Sequence, residues 1–555
     1  MNELYQVINR NLLAKFIEEL QFEDYLSVKK TNEGFSIELS EVEYRFEGKL
    51  SIWNQIWVSA RSIEKWSLGQ RENSFSVLDF IREVNSILKM DDQTLAKFLE
   101  EANQTLYSDY QILSQRSSLK LEDFLKLSFT EKEQLLDGHP KLLLNKGRLG
   151  WGIDSLEKYS PESKGLFKLK WLWVKEELVH GDVQDGEYPE KILEAFGLPV
   201  ETKPGFVLFP VHPWQWQRYI KIQFFEYLNK GLIEEAGFEG ADFHAQASIR
   251  TLMPNTNKQF EVKTSLSILN TSCVRGIPHK YIGVGRDISK KLKEICRDDS
   301  NLKNVLISQE LLSFSVNHPG FSKIQNCSYR YHEFMGFIVR ESSECLQREN
   351  EVAISAASLM TKLAEGSVIK SLIQESRLTP LHWIREYFEE VVIPLYHLQI
   401  CHGIGIVAHG QNIIVLIKDS RPSGIILKDF HGDLRLSEHS IHKNSEEFRS
   451  LTRLPREHLI HDLFTGHFVT FLRYLSRLMD EEKILNEAEF YGEASRAIDT
   501  YDKNNNKTQL SLKKEVFEKL IINGVRFKVG YSETSARPLP MLANDIINPM
   551  ILGGI

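Results

Sequence analysis

Apolar positions recur every three or four residues through FSVLDFIREVNSILKMDDQTLAKFLEEANQTLY and across most of the first 130 residues. That spacing predicts helices that each bury one face. One patch alternates instead: FSIELSEVEYRFEG, Phe35–Gly48, reads as a β-hairpin. From about residue 131 the texture changes to short apolar runs punctuated by Gly and Pro, as in GFVLFPVHPWQW, SIRTLMP and EVKTSLSIL, which predict strands and turns. Beyond about residue 350 helical patterns return in AISAASLMTKLAEGSVIKSLIQ, PLHWIREYFEEVVIPLYHLQICH and HLIHDLFTGHFVTFLRYLSRLMDE. YDKNNNKTQ, Tyr501–Gln509, reads as a flexible loop. The chain shows no internal repeat at a fixed period. The expectation is an α+β protein of three parts: a mostly helical 1–130, a β-rich 131–350, and a mainly helical 351–555 that carries one β-hairpin.

Within the last part, IGIVAHGQNIIVL (Ile404–Leu416) sets His409, Gln411 and Asn412 between two strand-like runs. A buried polar group without a partner costs about 1–3 kcal/mol, so three in four residues mark either a surface turn or a site. Gly403-Ile-Gly405-Ile-Val-Ala408, with Asp429 downstream, mimics a dinucleotide-binding fingerprint. The segment after it, QNIIVLIK-DSRPSG-IILKDF, reads as a hairpin with a six-residue turn and not as the required helix. The hairpin brings Asn412 and Asp429 to the same end, an amide oxygen and a carboxylate suited to Mg²⁺. A simple turn cap by His409 and Asn412 explains the same residues.

Composition narrows the partners. The chain has 555 residues, 42% hydrophobic and 26% charged, with a net charge of −8, which fits a folded globular protein and argues against nucleic acid as the main partner. Five cysteines without a CxxC pair suit reduced thiols. The amphipathic, acidic N-terminus lacks a signal-peptide pattern, and no window is apolar enough to span a membrane. A cytoplasmic protein is expected.

Four further clusters carry chemistry. In SIRTLMP, Ser248 and Arg250 alternate on one strand and Thr251 adjoins them. Lys263 begins a second strand, which Thr271, Ser272 and Arg275 close. Arg250, Lys263 and Arg275 could converge on a polyphosphate or polycarboxylate, or lie on a solvated sheet face. In LLDGHPKLLLNKGRLGWG, His139, Lys146 and Arg148 form a candidate anion loop. FPVHPWQW, with His212, Trp214 and Gln215, reads as structural. His458, His461 and His467 on one helix lack the glutamate of a zinc-peptidase motif, and there is no P-loop and no nucleophile elbow.

Taken in order, GHP, K-x-R-x-G-W, FPVHPWQ, S-x-R-T, K-T-S-L, T-S-x-x-R, H-G-Q-N and D-F resemble the aerobactin-synthetase-like IucA/IucC family, siderophore synthetases that work without a nonribosomal peptide template. The resemblance implies a cupped hand of thumb, fingers and palm. It implies ATP and Mg²⁺, an acyl adenylate of citrate or a citrate derivative, attack by an amine or alcohol, and a homodimer. Carried over by motif, Ser248, Arg250, Thr251, Lys263, Arg275, His409, Gln411, Asn412 and Asp429 would hold ATP, with Asn412 and Asp429 on the metal. His139, Lys146, Arg148, Thr271, Ser272 and Arg275 would face the carboxylate, and Arg275, His409 and Lys263 would be catalytic. Three positions depart from the family: Val407 replaces a glutamate, Lys428 an arginine, and Leu142-Leu143 a second His-Pro. Two alternatives stay open: a catalytically silent ATP- or citrate-binding homologue, and a ligase for a different carboxylic acid.

Overall fold

The computed structural model describes residues 3–181, 189–200, 203–271, 273–430, 432–505, 512–531 and 541–552. It is a mixed helix-and-sheet protein built around three large hydrophobic cores. The first core packs the helices Glu3–Phe22, Val77–Leu88 and Asp92–Arg116 against one face of a five-stranded antiparallel sheet. Capping explains where two of the helices begin. Ser76 and Asp79 form a capping box, and the Asp91 side chain accepts from the Thr94 N–H. Phe35–Gly48 is a hairpin as expected, Gly34–Leu39 pairing with Val42–Phe46. Three more strands, Lys29–Thr31, Glu64–Ser67 and Gln70–Arg71, extend it into a sheet. They are only two to four residues long, too short to display a period of two.

The second core lies under a seven-stranded antiparallel sheet. Its strand order is Val179–Gly181, Glu310–Val316, Met335–Glu341, Phe260–Thr264, Thr251–Pro254, Asp242–Ala245 and Phe167–Lys168. Trp171, Phe209, Phe243, Phe314 and Phe337 fill it. The third core is the largest and joins the C-terminal helices to a four-stranded sheet. The helix Val284–Asp298 and the strand Val305–Ile307, central in sequence, pack into this third core.

Two local expectations are corrected. AISAASLMTKLAEGSVIKSLIQ is not one helix: its start lies in the strand Glu351–Ser355, drawn into the sheet by pairing with Ile413–Lys418, and the helix begins only at Val368, capped by Ser367. Tertiary pairing overrides a short apolar run of ambiguous period. Tyr501–Asn505, read as the first half of a loop, is instead the end of the helix Glu487–Asn505; residues 506–509 lie outside the described residues.

Candidate functional site at the seam of two sheets

The hairpin predicted around Asn412 and Asp429 is present, and its turn is tighter than expected. Ile413–Lys418 pairs antiparallel with Arg421–Leu427. Only Asp419 and Ser420 lie between, both at positive φ (50° and 61°), as a type I′ turn requires. No helix follows the two glycines, so the dinucleotide fingerprint is a coincidence of spacing. The open end of the hairpin faces the seven-stranded sheet. There Lys263 from Phe260–Thr264 bonds Asp429, and Arg340 from Met335–Glu341 reaches the same carboxylate oxygen at 2.7 Å. Glu261 holds the Arg340 guanidinium in place. Burial works to raise the Asp429 carboxyl, but Arg340, Lys263 and Lys428 together hold it well below the usual carboxylate range. Burial, opposed by Asp429 and reinforced by Arg250 and Arg340, lowers Lys263.

His409 sits beside this knot. Its ring centre is 6.1 Å from that of His139, so the GHP loop and the HGQN turn meet in space. Burial lowers His409; Asp433 and Asp429 oppose this, while Lys428 and Arg275 add to it. Burial and the neighbouring His409 push His139 down to about 3. Both rings are therefore neutral near pH 7. The Gln411 N–H donates to His409 Nδ1 at 3.3 Å, and the Asn412 N–H to the His409 carbonyl at 2.9 Å, so the turn-cap reading also holds. Arg275 donates to Thr271 Oγ1. Arg275 Nε and His139 Nδ1 belong to the buried side-chain atoms that have no hydrogen-bond partner among the described residues.

Other predicted residues fall elsewhere. Ser248 and Arg250 do not alternate on a strand. They lie in a tight turn ahead of Thr251–Pro254, with Ile249 at φ 60°. Ser248 Oγ accepts from the Thr251 N–H at 3.0 Å and donates to Thr251 Oγ1 at 2.7 Å, while Arg250 reaches the Gly276 carbonyl. Lys146 bonds Asp109 at 2.7 Å. Arg148 grips Glu162 with both nitrogens, at 2.5 and 2.9 Å, inside the core. That loop spends its cations internally. Ser272 lies outside the described residues.

His212 is structural as read. Its ring packs between Tyr159 and Phe167, and Gln215 bonds Ser267 and the Phe334 carbonyl. His467 is likewise structural, stacked on Tyr387 and bonded to the Ala408 carbonyl at 2.8 Å. Lys428, where the family carries arginine, lies 3.6 Å from the buried Glu133 and over the Phe129 ring.

Sequence reasoning missed Arg340 and Asp433. Arg340 was legible only as a charge closing the apolar strand MGFIVRE. Asp433 stands in KDFHGD, four residues after Asp429, and accepts from the Asn412 amide at 3.0 Å. Burial raises the Asp433 carboxyl; His409 and Asn412 lower it, and Asp429 raises it further. The strand Ile404–Ile406 pairs with Leu434–Ser437, and the Val407 N–H continues the ladder to the Asp433 carbonyl at 2.9 Å. Cross-strand neighbours project from the same face, so Asp433 brings a carboxylate alongside position 407.

Residues 128–361 match the model of the IucA / IucC family, and residues 381–523 that of the ferric iron reductase FhuF-like transporter family. The chain is 31% identical to an aerobactin synthase of Escherichia coli, over 99% of this chain and 98% of that one. It is 29% identical to the rhizobactin siderophore biosynthesis protein RhbF of Rhizobium meliloti, over 99% and 96%. Among solved structures, the aerobactin synthetase IucC of Klebsiella pneumoniae superposes with a TM-score of 0.87 at 30% identity, covering all of both chains.

Proposed function

The chain belongs to the IucA/IucC family, and from that premise we propose that it is an ATP-dependent ligase of siderophore biosynthesis. Its relatives are named as synthases and ligases, one of them a citryl-spermidine ligase of Bacillus anthracis. The proposed reaction activates a carboxylate of citrate or a citrate derivative and joins it to an amine or alcohol. In the first step a carboxylate oxygen attacks the α-phosphorus of ATP, the bond to the β-phosphate oxygen breaks, and pyrophosphate leaves. In the second the nucleophile attacks the acyl carbon, loses its proton, and AMP departs.

The observation that carries this reading is the convergence of the GHP loop and the HGQN turn, with the His139 and His409 rings 6.1 Å apart, on a seam where Lys263 and Arg340 meet Asp429. Negative charge builds on the α-phosphate as the carboxylate attacks, and fixed donors aimed there are the chief means of stabilising it. Arg275 and Lys263 fill that role. Neutral His409 and His139 can donate or accept a hydrogen bond at the carboxylate without needing a counter-ion. The donor set suits Mg²⁺: Asp429, Asp433 and the Asn412 amide are hard oxygen donors, and a divalent cation would favour the ionised form of Asp433, whose carboxyl is raised by burial first and by its neighbour Asp429 after it. Mg²⁺ would supply charge neutralisation on the polyphosphate. No side-chain nucleophile is required.

The FhuF-like match does not change this reading. The test is pyrophosphate release from ATP and Mg²⁺ with citrate, with hydroxylamine to trap an acyl adenylate. Citrate-dependent release supports the proposal. Release with another acid alone moves the enzyme to a different substrate group, and silence with every acid tried leaves a ligand-binding homologue.

A further inference from the structure

Away from the seam, three ligand-type atoms converge at the end of the long helix that leads into Ile404–Ile406. His397 Nε2 lies 2.8 Å and His402 Nε2 3.0 Å from one oxygen, Asp299 Oδ2, and all three atoms fall within 4.8 Å of one another. The helix widens into a π-turn over Leu398–His402. In an α-helix residues five apart diverge by about 140°, whereas i→i+5 bonding brings them back onto one side. That widening turns both imidazoles toward Asp299, at the C-terminal end of the helix Val284–Asp298.

Every one of the three groups is held from behind. His397 Nδ1 meets the Tyr501 hydroxyl at 2.7 Å, and His402 Nδ1 meets His442 Nε2 at 3.0 Å. The other Asp299 oxygen accepts from the backbone and side-chain amides of Asn301, at 2.9 and 3.0 Å. Outer hydrogen bonds that fix ring orientation and leave Nε2 and one carboxylate oxygen pointing inward are what metal-binding histidines and carboxylates use. Ligands about 2.0–2.1 Å from a tetrahedral zinc stand about 3.3 Å apart, so each imidazole nitrogen, now 2.8 and 3.0 Å from Asp299 Oδ2, need draw back from it by only a few tenths of an ångström.

We propose that Asp299 Oδ2, His397 Nε2 and His402 Nε2 form a binding site for a divalent first-row transition metal, Zn²⁺ by donor type, with its remaining position toward solvent on the side of the part-exposed Asp299. The site is independent of the synthetase reading: it shares no residue with the seam, and it ties two elements of the third core just before the strand that leads to His409. Imidazole and carboxylate together favour Zn²⁺ over Mg²⁺.

The test uses the full-length protein, stripped with a chelator and incubated with Zn²⁺ in the presence of excess Mg²⁺. Wild type should retain one equivalent through gel filtration. His402→Gln and Asp299→Asn should lose it, and His442→Gln, which removes only the support behind His402, should bind about tenfold more weakly. Co²⁺ added to wild type should give the ligand-field absorption of a histidine-bearing site, a reading that does not depend on any variant folding. Absence of retained zinc and of cobalt bands in wild type, or equal retention by His402→Gln and Asp299→Asn, would overturn the proposal and leave the cluster as a hydrogen-bonded tie.

Discussion

Arg148 and Arg340 both sit in the β-rich middle of the chain and both pair with a carboxylate, yet they serve opposite ends. Arg148 meets Glu162 through a bidentate bridge in which both side chains are 4% exposed. Burial raises Glu162, but Arg148 overcomes it and pulls the carboxyl down to about 2. Arg340 is as deeply buried, but the Asp429 it shares with Lys263 is 20% exposed and stands beside His409. One pair is closed, both Glu162 oxygens being held by Arg148. The other opens toward the facing His409 and His139 rings and Arg275. Cations in a sequence look alike; what separates these two is whether the pair is sealed in the core or opens onto further polar side chains.

The sharpest way to break this contrast is to cut the closed pair. Arg148→Met leaves Glu162 buried and uncompensated, which costs about 3–5 kcal/mol. Urea unfolding should show that loss, while the fraction still folded keeps its rate of pyrophosphate release. A variant of normal stability that has lost its rate would place Arg148 in the site after all. The open side predicts the reverse. Arg275→Ala removes a donor from the seam and no apolar core, so release should fall about 100-fold or more with the unfolding midpoint nearly unmoved. Full activity in that variant would remove Arg275 from the site.

These particular residues also show what was legible. Ordered motifs located Lys263, His139, His409, Asn412 and Asp429, because short spacings along one turn or strand survive in the sequence. The hairpin was readable for the same reason, though not its two-residue turn: the bulge at Leu416/Ile417 disturbs the alternation that would have located it. Arg148 was misjudged because its partner, Glu162, lies 14 positions away across a fold, and no local pattern announces a long-range ion pair. Arg340 and Asp433 were missed on the same ground. Each joins the seam only through a neighbour brought by another strand.

The contrast extends to histidine. His212 is fully enclosed by aromatic rings, and burial followed by Lys158 lowers it to about 3. Below an ordinary histidine value of about 6.5 the unfolded chain takes up a proton that the folded chain refuses. Stability therefore falls as pH drops from about 6.5 toward 3, by about 2 kcal/mol at pH 5. His212→Gln should lose part of that acid sensitivity when urea midpoints at pH 7 and pH 5 are compared. An unchanged pH dependence would show that His212 is protonated in the fold.

The smallest effect tests the open side most finely. Position 407 holds valine where the motif resemblance leads one to expect glutamate, and Asp433 stands across the ladder from it. If Asp433 supplies the carboxylate that Val407 lacks, Asp433→Asn keeps the volume and removes only charge. It should raise the Mg²⁺ concentration for half-maximal pyrophosphate release about tenfold, worth about 1.4 kcal/mol. Adding Val407→Glu to that variant should restore the Mg²⁺ response, since the two positions project from one face. Rescue would mean that the carboxylate has moved across a strand pair while its place at the metal is kept. An Asp433→Asn enzyme with an unaltered Mg²⁺ response would instead confine Asp433 to orienting the Asn412 amide, and leave Asp429 as the single carboxylate available to the ion.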